Sequence, residues 1–263
     1  DVCSSDLNLF AHTLPQFGIE VRFADYRDPE SFARLIDGRT KAVFCESIGN
    51  PLGNITDLEA LATVAHRHGV PLIVDNTLAT PYLVKPFDYG ADIVVHSATK
   101  FLGGHGNSLG GLIVDGGSFD WLADKRYPML SEPRPEYGGM VLGETFGNFA
   151  FAIATRVLSL RDLGPAISPF NAFLLLTGVE TLPLRMQRHS ENAQKVAEHL
   201  SGHPAVAWVS YPGLPGDRYH ALAKKYCPKG AGAVFTFGLK GGYEAGITLV
   251  KKLKLFSHLA NVG

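Results

Sequence analysis

The chain has 263 residues, 46% of them hydrophobic, with 24 basic side chains against 25 acidic ones and a net charge of −1. This balance leaves no basic stripe for a nucleic-acid backbone and no acidic tail, while the apolar fraction is enough for one large or two smaller folded domains. No apolar run nears the roughly twenty residues of a membrane span, no charged segment followed by an apolar one is seen in these residues, and Cys3, Cys45 and Cys227 show no CxxC spacing, so the expectation is a cytoplasmic protein without a disulfide framework and without nucleic-acid or membrane partners.

Residues 1–7, Asp-Val-Cys-Ser-Ser-Asp-Leu, read as the translation of a sequencing adapter and are set apart, Cys3 among them. The natural sequence is expected to begin near Asn8. From Ile19 to Val114, short β-branched runs alternate with helix-period segments, the pattern of an α/β fold with a mostly parallel sheet. Strands are predicted at 20–24, 42–46, 72–75, 93–96 and 112–114, and their near-continuous apolar character predicts burial on both faces. Thr56-Asp57-Leu58-Glu59 reads as a capping box, followed by Leu58, Leu61, Ala62 and Ala65 at helical spacing and closed by Gly69. Such a strand–helix–strand unit crosses over right-handed and aligns its strands, so the polar residues at their carboxyl ends share one rim.

A second helical block is expected over 149–161, ending at Gly164-Pro165, and a long one from Pro169 towards His199, kinked at Pro183 and lying between domains. Beyond Gly202-His203-Pro204, strands at 205–211 and 233–239, a helix around 218–226 and another before Lys254 read as the start of a smaller α/β domain. The division is thus 8–200 for a large domain and 201–263 for an incomplete C-terminal one.

Three loops at the proposed rim concentrate polar groups: Glu46 to Pro51, Asp75-Asn76-Thr77, and His96-Ser97-Ala98-Thr99-Lys100. In open α/β sheets ligands bind just outside the carboxyl ends of the strands. Asp75 ends the apolar run Pro71 to Val74, where a carboxylate needs a hydrogen-bonding or cationic partner such as a protonated ring nitrogen. An aspartate at such a place also serves to cap a turn through its own backbone. Lys100 follows a strand and precedes Gly103-Gly104-His105-Gly106; the glycines allow close approach of an anion, Ser97 and Thr99 offer hydroxyls, and the amine can form a Schiff base. The glycine run lacks the Gly-Lys-Ser/Thr ending of a nucleotide loop, which argues against phosphoryl transfer. His66 and His68, two apart on a helix, share no face, and no metal site is expected.

With Asn50, Asp75 and Ser97-Ala98-Thr99-Lys100 in place, the chain resembles the trans-sulfuration family of pyridoxal 5'-phosphate (PLP) enzymes, the cystathionine synthases and lyases, from about Asn8 to Gly263. The resemblance implies an aspartate aminotransferase-like (fold type I) large domain. It implies that Lys100 holds PLP as a Schiff base, that Asp75 pairs with the pyridine nitrogen, and that Asn50 meets the phenolic oxygen. Ser97 and Thr99 would help hold the phosphate, and Thr77 would lie against the ring. Gly103-Gly104-His105-Gly106, Ser131-Glu132-Pro133 and the segment from Asp162 to Pro169 resemble the sulfhydrylase branch, which implies γ-replacement of acetate on O-acetyl-L-homoserine by sulfide, giving homocysteine. A cystathionine γ-synthase or a γ-lyase is the alternative within the family, and a non-catalytic relative the alternative outside it. Gly138 departs from the pattern, standing where the family commonly has a histidine. The family's ring-stacking aromatic residue and main phosphate turn would lie upstream of Asn8, its substrate-carboxylate arginine downstream of Gly263, and its members are usually tetramers.

Overall fold

Four short apolar runs pair into one sheet in the computed structural model, which describes residues 7–259; residues 1–6, Cys3 among them, and 260–263 lie outside the described residues. The strands are β1 (Val43–Glu46), β2 (Leu72–Asp75), β3 (Ile93–Ser97) and β4 (Gly111–Asp115), in that spatial order. β1, β2 and β3 run parallel, with Glu46 opposite Asp75 and Asp75 opposite Val95. β4 returns antiparallel, Ser97 facing Gly111. The chain between them forms turns rather than a helix, and a parallel return needs a long crossover that is absent here.

Helix α1 (Leu58–Arg67) makes the crossover between β1 and β2 and buries Leu58, Leu61, Ala62, Val64 and Ala65. Its cap differs from the expected box. Asp57, not Thr56, accepts the Ala60 N–H at 3.3 Å, while the Thr56 hydroxyl donates to the Glu46 carbonyl at 2.7 Å and ties the helix start to the end of β1. Gly69 closes the helix as expected, at φ 65°. After β2 comes the short helix α2 (Thr80–Leu83).

Two apolar clusters cover the sheet. One packs Val43, Leu72, Val74 and Val94 against α1; the other packs Ile93, with Ile73 and Val95 at its margin, against Trp121, Tyr127, Leu130 and Leu142. Removing this surface from water is the main stabilisation, about 1.5–3 kcal/mol for each fully buried large side chain. The expectation of two-sided burial fails for β4, whose Leu112, Ile113 and Val114 are all exposed. The predicted strand at 20–24 is not formed either; that segment is irregular and pairs with no strand among the described residues.

The helix expected over 149–161 is broken into an α-turn (Ala150–Ala154), a π-turn (Thr155–Leu160) and a last turn (Arg161–Leu163) closed by Gly164. Thr155 donates its hydroxyl back to the carbonyls of Phe151 and Ala152, a local competition that widens helices. The long helix is two, α3 (Pro169–Glu180) and α4 (Leu182–Ser201), parted at Thr181 with Pro183 in the first turn of the second. Beyond it, β5 (Val206–Ser210) and β6 (Thr236–Leu239) pair antiparallel, with α5 (His220–Tyr226) between them and α6 (Gly242–Lys252) after. Tyr211, Ala223, Tyr226 and Cys227 join the same core as α1 and α4. Among the described residues no helix is long and apolar enough to cross a membrane.

Candidate active site

Because β1, β2 and β3 are parallel and in register, the chain leaves all three at one rim, where the segments 46–50, 75–77 and 97–100 follow. Short bonds lock these segments to one another. Ser47 donates its backbone N–H to the Asp75 carbonyl at 2.9 Å, and Asn76 donates its own to the Val95 carbonyl at 2.9 Å. The Ser47 hydroxyl donates to Asn76 Oδ1 at 2.7 Å, and Asn76 Nδ2 donates to the Val84 carbonyl at 2.9 Å. Asn76 is fully buried, so this chain of bonds satisfies a side chain that would otherwise be costly inside the protein.

Asp75 points to the sheet face opposite Asn76, since successive side chains alternate. One carboxylate oxygen accepts the Thr77 N–H at 2.8 Å. The turn-capping reading of Asp75 is thus realised with one oxygen, and this fixes the carboxylate's direction. The Thr77 hydroxyl in turn accepts the Ser97 N–H at 2.8 Å, which joins the β2 loop to the end of β3. Asn50 donates its N–H to Glu46 Oε2 at 3.3 Å.

Lys100 lies in a compact turn. Its N–H donates to the Ser97 carbonyl at 3.1 Å and its carbonyl accepts the Gly104 N–H at 2.8 Å. The Thr99 hydroxyl accepts the Gly110 N–H at 3.1 Å and donates to the Gly110 carbonyl at 3.3 Å, so it also fastens the start of β4. Asn50, Asp75, Thr77, Ser97, Thr99 and Lys100 are all half-buried, accessible to a small molecule yet shielded by the core beneath. The negative charge of Asp75 is felt around it. Burial and then Asp75 push the Cys45 thiol up to about 12; burial holds the His96 imidazole below its ordinary value, with Asp75 pulling the other way.

The donor set is one carboxylate, one amine and several hydroxyls on a single rim. That is the complement of a molecule with a basic ring nitrogen, an aldehyde and an anionic group, and PLP fits it on those grounds. Sequence reasoning brought these residues together but did not single out two others. Asn76 was one polar residue among several in its loop, and only the buried bridge from Ser47 to Val84 shows its part. Arg185, on α4, donates to the carbonyls of Phe101 at 2.7 Å and Leu102 at 3.3 Å, on the turn carrying Lys100; it is 85 residues away in sequence and no motif announces it.

Residues 1–263 match the Cys/Met metabolism PLP-dependent enzyme family. A homocysteine synthase of Schizosaccharomyces pombe is 56% identical over 258 residues, which are 97% of this chain and 60% of that protein. An O-acetyl-L-homoserine sulfhydrylase of Leptospira meyeri is 52% identical, again over 97% of this chain and 60% of that protein. A crystal structure from Campylobacter jejuni, described as an O-acetylhomoserine (thiol)-lyase with pyridoxyl-lysine monophosphate, superimposes with a TM-score of 0.94 at 40% identity, covering 99% of this chain and 65% of that one. The chain spans about 60% of the length of these curated relatives.

Proposed function

The chain belongs to the Cys/Met metabolism PLP-dependent enzyme family, and from that premise we propose that the protein containing it replaces the acetate of O-acetyl-L-homoserine with sulfide, yielding L-homocysteine and acetate. The observation that supports this reading most is the register of β2 and β3, which puts Asp75 and the Lys100 turn on neighbouring parallel strands at one rim. PLP, when bound, supplies a conjugated ring that accepts the electron pair left on the substrate's carbon atoms.

The chain's own residues do the rest. Lys100 would hold the cofactor through Nζ, and its amine, when not so engaged and unprotonated, would move protons at the substrate's Cα and Cβ. Asp75, aimed by the Thr77 N–H, keeps the ring nitrogen protonated by placing a negative charge beside it. Asn50 would orient the phenolic oxygen, Thr77 would lie against the ring, and Ser97 and Thr99 would contribute to the phosphate site. The leaving acetate departs from Cγ and sulfide bonds to the same carbon.

Relatives named homocysteine synthase and O-acetyl-L-homoserine sulfhydrylase favour sulfide and the acetyl ester over the alternative partners of the family. The same proposal places the enzyme in the cytoplasm as a homo-oligomer. Phe170, Phe173 and Leu176 of α3 are each more than 60% exposed, a contiguous apolar face suited to a second copy. The experiment is to supply the full-length protein with O-acetylhomoserine and either sulfide or cysteine and to identify the product. Homocysteine from sulfide supports the reading; cystathionine from cysteine alone, or release of the substrate's carbon skeleton as a keto acid, would replace it with a synthase or a lyase.

A further inference from the structure

We propose that Arg185 is a positioning residue for Lys100, fixing the turn that carries the amine from a helix remote in sequence; this rests on the assignment of Lys100 as the residue that holds the cofactor. Arg185 stands in the first turn of α4 and its guanidinium reaches across to the turn 98–104. Nη1 donates to the Phe101 carbonyl at 2.7 Å and Nη2 to the Leu102 carbonyl at 3.3 Å. The same Nη2 donates to the Gly178 carbonyl at 2.7 Å, near the end of α3, and Nε donates to the Thr181 hydroxyl at 3.0 Å. One planar group thus ties the two residues that follow Lys100 to the break between two helices.

The surroundings are shaped to admit that group. Gly104, at φ 67°, leaves the guanidinium room: a Cβ there would lie 2.3 Å from Nη1. Gly178 lets the α3 backbone touch the turn, since a Cβ on it would lie 2.0 Å from the Gly103 oxygen. Gly103 itself is closed in by Leu175 and by the Ala98 carbonyl. The guanidinium is held by carbonyl oxygens and a hydroxyl instead of by a carboxylate, and burial lowers its pKa. Desolvating a charge this way carries a cost, and a fixed set of three carbonyls is what a fork of N–H donors satisfies and a single ammonium does not.

A group that only stabilised the fold would tolerate loss at the expense of melting temperature alone; one that aims Lys100 alters what the amine does. The test uses full-length protein carrying Arg185→Met, Arg185→Lys or Gly104→Ala, with Arg188→Met as the control, an arginine on the same helix whose side chain is 69% exposed. Each is measured for PLP affinity, for the pH midpoint of the bound-cofactor absorption, for borohydride trapping on Lys100, and for kcat and KM. Arg185→Met is expected to bind PLP about tenfold more weakly, shift the pH midpoint, trap less cofactor and lose on the order of a hundredfold in kcat with a smaller change in KM, as a misplacement near 1 Å produces. Gly104→Ala crowds the guanidinium and also strains the Lys100 turn itself at φ 67°, so it should move the same readouts at least as far, Arg185→Lys should fall between, and Arg188→Met should match the wild type. Should Arg185→Met fail to fold, Arg185→Lys decides. A lower melting temperature with cofactor affinity, pH midpoint and trapping all unchanged would overturn the positioning role alone. A wild-type protein without any cofactor band that Lys100→Ala abolishes would instead overturn the assignment of Lys100, and this inference with it.

Discussion

The Ser47 hydroxyl donates a 2.7 Å hydrogen bond to Oδ1 of Asn76, joining the loops after β1 and β2 within the protein interior. Asn76 in turn donates to the Val84 carbonyl, so its amide bridges those loops to the end of α2. Asn76→Leu leaves a buried hydroxyl and a buried carbonyl unpartnered, at a cost of roughly 1–3 kcal/mol for each. Ser47→Ala removes one partner of the pair and should cost about 1 kcal/mol. The double variant should lose less than the two singles added together, because they share one bond. Urea midpoints of the three variants measure this, and strict additivity would show that the bridge is not a unit.

Two glycines in helices give opposite expectations. Gly178 on α3 lies against the Gly103 carbonyl, whereas Gly246 on α6 has open space where a side chain would go. Gly178→Ala must push α3 away from the Lys100 turn and is expected to destabilise by about 1–3 kcal/mol. Gly246→Ala meets nothing and restricts the unfolded chain, so a gain of about 0.5–1 kcal/mol is expected. Thermal unfolding of both variants checks the signs; a stabilised Gly178→Ala would mean that the close approach of helix and turn is not real.

What the sequence reveals of this molecule follows from the range of the forces involved. Strand β2 and the closing Gly69 are local matters of apolar run and backbone freedom, and both are legible. The direction of β4 is not, since Leu112, Ile113 and Val114 read as a buried parallel strand but follow a connection without a crossover helix. Residues 20–24 have strand character yet find no partner, and pairing is a property of two segments. The six candidate residues could be gathered because parallel strands share a rim, so Asn50, Asp75 and Lys100 fall together once strand direction is known. Arg185 could not, for a guanidinium that grips backbone carbonyls leaves no pattern in the residues it holds.

Stability should fall on mild acidification. Burial holds the imidazoles of His96 and His189 below their ordinary value. An unfolded chain takes up protons there at about pH 6.5, while the folded chain resists until the pH is lower. In that window the unfolded state binds more protons, so unfolding becomes easier as pH falls; above it the contribution is complete and the curve is flat. His96→Gln cannot be protonated and should show a shallower loss between about pH 7.5 and about pH 5.5 in urea titrations. An unchanged slope would remove His96 as a source of the effect.

Asp75→Asn isolates charge from shape. The amide oxygen can still accept the Thr77 N–H now bonded to the carboxylate at 2.8 Å, so the loop should keep its form and cofactor should still bind. An uncharged amide does not balance a protonated ring nitrogen, and the ring becomes a poorer acceptor of electrons; kcat is expected to drop about 10²–10³-fold, the scale for removing one preorganised electrostatic partner. A second readout needs no turnover. Cys45, held at about 12 by burial and secondarily by Asp75, should alkylate somewhat faster in the variant, because the charge opposing its thiolate is gone while its burial is not. Full turnover in Asp75→Asn would take the aspartate out of its assigned part, whereas lost turnover with unchanged Cys45 reactivity would point to a disturbed loop in place of a missing charge.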